Sequence, residues 1–515
     1  MNKVQILLIS LVGLLLMGLI YTFGRLAYPN MSGDAISFGP PAITYARTGT
    51  LDVQLSTYFF PSVFTDFLGS INSGGRYIWY PPFFYLAVGS LLAEGSAVGF
   101  FIIIGTIGAS VFLLGITAVV MSVRTSSETR FGSLVIILSM FTLAHYITGS
   151  QNGRPEIFAA FFITLGILLA EVQQKHLIWI WGLILGVLCA THIIACLISL
   201  AIAGLFFSAK YSPKQLFGAM LGIMAVAIPT ATILFLLSPN GLLDTVRGTL
   251  YHAQLIGGRV VIEPFLSYYV LNVRAMFVGI LMIISLILSA LWSLISRYKI
   301  KSPLIHIFFW ILLIFVVVYA GVRNVQNYYN LMPFTPLVVV IIVRSYYYYS
   351  KQNRGFRKLL AKILIFIILL IPSIGLLRDA VLFALYLEKG LSLINARELF
   401  QDLQIPDGAN VGISGSTWAL SEDYHKMTMY NPQNRLVDII IFQQNGSGLQ
   451  DPPEISDYSV KHNYFVAGPD GILRFLANTT PGYAFAVYYR TVCVKGFETT
   501  SVKKIKADSA VVWAD

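Results

Sequence analysis

The chain is poor in charge. Only 11% of its 515 residues are Asp, Glu, Lys or Arg, while 56% are hydrophobic. A soluble domain carries about 25% charged residues, so a soluble globular protein is excluded. Cysteine is scarce as well: Cys189 and Cys196 share one apolar stretch and Cys493 stands alone. That spacing matches neither a disulfide framework nor a metal knuckle. There is no Gly-x-x-x-x-Gly-Lys-Ser/Thr loop, no convincing dinucleotide fingerprint and no His-Glu-x-x-His pair. Internal repeats and low-complexity tracts are also missing.

Long apolar runs fill the first three quarters. A membrane span needs about 20 apolar residues. Spans are predicted at 4–28, 97–122, 131–149, 155–172, 176–190, 191–208, 215–237, 275–296, 304–321, 328–349 and 359–382. The run 81–93 is shorter, begins at Pro81-Pro82 and reads as an interfacial helix. Residues 4–28 lack a clear small-residue cleavage site and read as an uncleaved first helix. The fold class expected is therefore a polytopic α-helical membrane protein of about 11–13 transmembrane helices.

The net charge is +11, and most of it flanks the apolar runs. With Lys3 inside, the inner loops hold Arg124, Arg130, Lys175, Lys210, Lys214 and the basic cluster from Arg344 to Lys362. That asymmetry follows the positive-inside rule and calls for no nucleic-acid partner. Loops 29–80, 150–154, 238–274 and 322–327 then face outward, with a cytoplasmic N-terminus in the inner or plasma membrane of a bacterium. After about residue 385 the composition becomes polar, with turn signals at Gly468-Pro469-Asp470-Gly471 and Pro481-Gly482. Alternating runs at Tyr483–Tyr489 and Ser509–Trp513 read as strands. The division expected is a membrane module, 1–385, with loop 29–80 carrying interfacial helices, and a small extracytoplasmic α/β domain, 395–515.

No soluble segment on the inner side is large enough to hold a nucleotide sugar, so any transfer chemistry must use a donor that reaches the outer face. The candidate groups lie at that outer level. Asp34 follows the first span and reads either as a general base or as a cap for the Ile36–Arg47 segment. Arg154-Pro155-Glu156 opens a later span, where an acid is favoured by the helix dipole. Alternatively, Glu156 joins Asp34 in dividing catalytic roles or in holding a divalent metal such as Mg or Mn. His192 lies between two apolar runs, either as a hydrogen-bonded interior group or as a phosphate donor. His252 and Arg259 lie in one outer loop, and Arg323 precedes a span. Arginines such as Arg154, Arg259 and Arg323 can fork onto phosphate or simply flank helices at the headgroup level. Tyr80, Tyr328 and Tyr329 are candidate walls of a substrate groove.

Five segments together resemble the C-type-fold membrane glycosyltransferases, in particular bacterial relatives of protein O-mannosyltransferases and aminoarabinose lipid A transferases. They are Asp34 after the first span, Ala46-Arg47-Thr48-Gly49, Pro81-Pro82-Phe83-Phe84-Tyr85, Arg154-Pro155-Glu156, and Asn327-Tyr328-Tyr329-Asn330-Leu331-Met332-Pro333. The likeness covers about residues 5–350. It implies a polyprenyl-phosphate sugar donor, inverting transfer on the outer face, and Asp34 as the base. The acceptor class, glycan, lipid or protein, stays open. This sequence departs from the pattern at Ala35, where many relatives have a second acid, at Glu156, where many have Asp, and at His192, where some have Lys. The alternative reading is a polytopic lipid or polysaccharide transporter or flippase. A polysaccharide polymerase or ligase and a structural envelope protein are further rivals.

Overall fold

A computed structural model of the protein describes residues 3–26, 38–51, 81–93, 95–124, 129–151, 153–172, 177–248, 273–295, 300–322 and 334–388. Toward the C-terminus it describes 411–413, 427–429, 439–445, 458–467, 482–490 and 511–513. The helices are α1 (Lys3–Leu26), α2 (Gly39–Thr48), α3 (Phe83–Leu91), α4 (Ala97–Arg124), α5 (Thr129–Ser150), α6 (Pro155–Val172) and α7 (Leu177–Cys189). They continue with α8 (Ile193–Lys210), α9 (Pro213–Leu236), α10 (Val273–Ile295), α11 (Pro303–Val322), α12 (Thr335–Gln352) and α13 (Phe356–Glu388).

Among the described residues, six helical stretches are long and apolar enough to cross a membrane. These are Val4–Arg25, Ala97–Val123, Arg130–Ser150, Ile193–Lys210, Pro213–Leu236 and Phe356–Leu377. Shorter apolar stretches run through α6, α7, α10 and α11. Leu7, Phe217, Leu304 and Leu377 are each exposed, a surface that acyl chains would cover. The nine residues of α3 rise only about 13 Å, too little for a hydrocarbon core of about 30 Å.

The chain forms two compact units. One comprises Met1–Gly24, Ile78–Leu86 and Ile104–Leu377; the other comprises Arg25–Tyr77, Ala87–Ile103 and Arg378–Asp515.

In the first unit, α7 packs on α9 through a Gly182-x-x-x-Gly186 face. A Cβ at Gly186 would sit 2.5 Å from Cβ of Thr230 and 2.8 Å from the Ala227 carbonyl oxygen. Only glycine allows that approach, as at small-residue crossings of membrane helices. His306 on α11 ties three helices together. Its Nδ1 pairs with the Ser208 hydroxyl of α8 at 2.8 Å and its Nε2 with the Ser293 hydroxyl of α10 at 2.8 Å. The Ser302 amide donates to the Ser208 carbonyl at 3.1 Å, locking the start of α11 to the end of α8. Inside α13, Pro372 removes one helical hydrogen bond. Polar groups gather at that break: the Thr142 hydroxyl of α5 donates to the Leu369 carbonyl at 2.8 Å, and the Ser373 hydroxyl donates to the Leu138 carbonyl at 3.1 Å.

In the second unit, α2 begins at Gly39 with Phe38 as its N-cap and no side-chain cap bond. Pro40 and Pro41 explain the start, since proline suits a first helical turn whose N–H groups have no partner. The cap expected at Asp34 is therefore not the cap of this helix. Gly49 ends α2 at φ 71°, and its amide donates to the Tyr45 carbonyl.

Among the described residues, six strands form one sheet in the order β2-β1-β3-β5-β4-β6. They are β1 (Val411–Ile413), β2 (Met427–Met429), β3 (Ile439–Asn445), β4 (Tyr458–Ala467), β5 (Gly482–Arg490) and β6 (Val511–Trp513). β1 pairs in parallel with β2 and β3, whereas β3–β5, β5–β4 and β4–β6 are antiparallel. The runs read as strands from their alternation, Tyr483–Tyr489 and Ser509–Trp513, coincide with β5 and β6.

Candidate functional site

The site is built where two helices begin. Pro155 opens α6 without needing an amide partner, which puts Glu156 in the first turn. α7 ends at Cys189, and the His192 amide donates to the Leu188 carbonyl at 2.7 Å. His192 then caps α8: it has extended backbone, and its Nδ1 accepts from the Ala195 amide at 3.4 Å. An Nδ1 that accepts carries no proton, so the neutral ring bears its hydrogen on Nε2. That Nε2 lies 3.6 Å from Oε1 of Glu156. The N-termini of α6 and α8 therefore meet, and both bring the positive end of a helix dipole.

Arg154 grips the same carboxylate. Its Nε donates to Oε1 at 3.0 Å and Oε2 at 3.2 Å of Glu156, and its Nη2 lies 2.9 Å from Oε1. Glu156 is wholly buried, and Arg154 and His192 are each 7% exposed. A buried carboxylate is sustained only by such paired donors.

The start of α3 joins this cluster. The Phe83 amide donates to the Ala190 carbonyl at 2.8 Å, in the turn just before His192. Phe83 and Phe84 pack on Phe158 with ring centroids 5.8 and 5.7 Å apart. The Pro81-Pro82-Phe83 segment, the Arg154-Pro155-Glu156 segment and His192 are thus brought together. Gln151, in the turn before Arg154, is 1% exposed. Neither its Nε2 nor its Oε1 has a hydrogen-bond partner among the described residues. Sequence reading passed over this side chain; an amide in the same short turn as Arg154 was the only available signal.

Asp34, Tyr80, His252, Arg259, Arg323, Tyr328 and Tyr329 lie outside the described residues. The metal site expected at Asp34 and Glu156 lies partly outside the described residues. Arg154 occupies the carboxylate edge where a cation would bind Glu156, and the described residues hold no cluster of three or more His, Cys, Asp or Glu.

The apolar helices define a multi-pass membrane protein. Comparison of the chain with protein-family models, curated proteins and solved structures gives no match.

Proposed function

We propose that the protein is a membrane glycosyltransferase that moves a sugar from a polyprenyl-phosphate donor to an extracytoplasmic acceptor, with inversion and with Asp34 as the base. The observation that carries this reading is the convergence of two helix N-termini on a buried Arg154–Glu156–His192 cluster. Dipole ends and a guanidinium suit an anionic phosphate at the border of a bilayer. The segments that converge there include two of the five that carry the resemblance to C-type-fold enzymes. In this reading Glu156 is a positioning residue that fixes the Arg154 fork, and Arg259, Arg323 and His252 add donors from the outer loops.

The acceptor hydroxyl attacks the anomeric carbon, Asp34 takes its proton, and the bond from that carbon to the phosphate oxygen breaks. The lipid phosphate leaves with the electron pair. A positioned base contributes roughly 10²–10⁴-fold, and stabilising the charge that grows on the leaving phosphate is the larger effect.

The test is incubation of the purified chain with a labelled polyprenyl-phosphate sugar. Release of lipid phosphate with transfer of label supports a transferase, and uptake without cleavage identifies a transporter. Asp34→Asn is expected to abolish transfer while leaving expression intact. Near-normal transfer by that variant would remove the assigned base.

A further inference from the structure

A cavity lies at the other end of α8 from His192. The 18 residues of that helix separate the two places by about 27 Å. The cavity holds about 820 Å³ of empty space, counting the part that opens outward. Its walls include Ile202, Leu205 and Ile341, and its polar lining includes Lys210 and Arg344. Both cations are half-buried. The Arg344 guanidinium is held in place by aromatic rings, with its Cζ 4.3 Å from the centroid of Phe206 and 5.6 Å from that of Tyr348. A stacked guanidinium keeps its donor edge in a fixed plane. One wall is the His306 cluster, whose ring nitrogens are already engaged by Ser208 and Ser293.

We propose that this cavity binds an anionic glycerophospholipid, with the lipid phosphate on Lys210 and Arg344 and an acyl chain along Ile202, Leu205 and Ile341. Charge complementarity selects the anion. The surroundings select a lipid over a soluble phosphate: Ile167, Ile202, Leu205, Ile300, Val340 and Ile341 give the cavity an apolar wall, and Tyr348 in its lining is 36% exposed. The basic ends of these helices also mark the leaflet on the cytoplasmic side, where anionic headgroups attract Lys and Arg. The site is separate from the Arg154–Glu156 cluster and does not depend on the transferase reading.

The experiment uses the full chain purified from mixed vesicles of phosphatidylglycerol and phosphatidylcholine, with native mass spectrometry of the retained lipid. Phosphatidylglycerol is expected to be enriched roughly thirty-fold over phosphatidylcholine, the scale of two cations each favouring a net anionic headgroup over a zwitterionic one. Lys210→Gln with Arg344→Gln should remove the preference. Ile341→Trp, which fills the apolar wall without touching either cation, should reduce retention of phosphatidylglycerol and serves where the double variant fails to fold. Equal retention of the two lipids by the parent chain, a preference that survives the double variant, or undiminished retention in Ile341→Trp overturns the proposal. Inorganic phosphate is the third arm: if it displaces the retained lipid at millimolar concentration, the site is one for a soluble anion and the lipid assignment fails.

Discussion

Arg154 and Glu156 are two residues apart, and the guanidinium of one closes on the carboxylate of the other across the first turn of α6. Both are buried, so each is the main reason the other can stay charged away from water. Removing one partner should hurt more than removing both. Arg154→Met is expected to cost about 3–5 kcal/mol, because it strands a buried carboxylate. Arg154→Met with Glu156→Leu should recover much of that loss. Thermal melts of the purified variants check the order; a double variant that melts below the Arg154 single variant would show that the pair is not the chief support.

His192 holds two jobs that substitution can separate. Asn is a good N-cap, so His192→Asn should keep α8 anchored. His192→Ala should lose about 0.5–2 kcal/mol, the usual cost of a lost cap. Both remove the imidazole beside Glu156. If the ring takes part in donor binding, both variants should raise the KM for the lipid-linked sugar, while only the Ala variant melts early. Equal melting losses in the two variants would mean that capping is not what His192 supplies.

Gln151 is a buried amide without a hydrogen-bond partner among the described residues. An unsatisfied buried polar group costs about 1–3 kcal/mol, so replacing it with an apolar side chain of similar size should not destabilise the fold. Gln151→Met is expected to melt at or above the parent temperature. If the amide serves the substrate, the same variant loses affinity for the donor in a binding assay. A variant that melts several degrees lower would point to a structural partner for the amide instead.

Most helices were legible because apolar length is a coarse and robust signal. The span read at 155–172 matches α6 end for end, since Pro155 and the apolar run mark the same boundary. The start of α2 was read early, at Ile36, because Asp34 has the right chemistry for a cap; Pro40 and Pro41 fix the start at Gly39. The site was less legible. Helix pairing rules concern residues three or four apart, so nothing announced that Arg154 would grip Glu156 at a spacing of two. Histidine is not among the preferred caps, and its ring nitrogen gave no advance sign of the bond to Ala195. The His306 cluster draws on Ser208, Ser293 and Trp310, scattered over about a hundred residues, and only folding makes it visible.

The sheet ends in β2 on one side and β6 on the other, strands of three residues each. Such brief borders give a foreign chain little ladder to extend. A second copy of the chain therefore finds only a short ladder to join at either described rim.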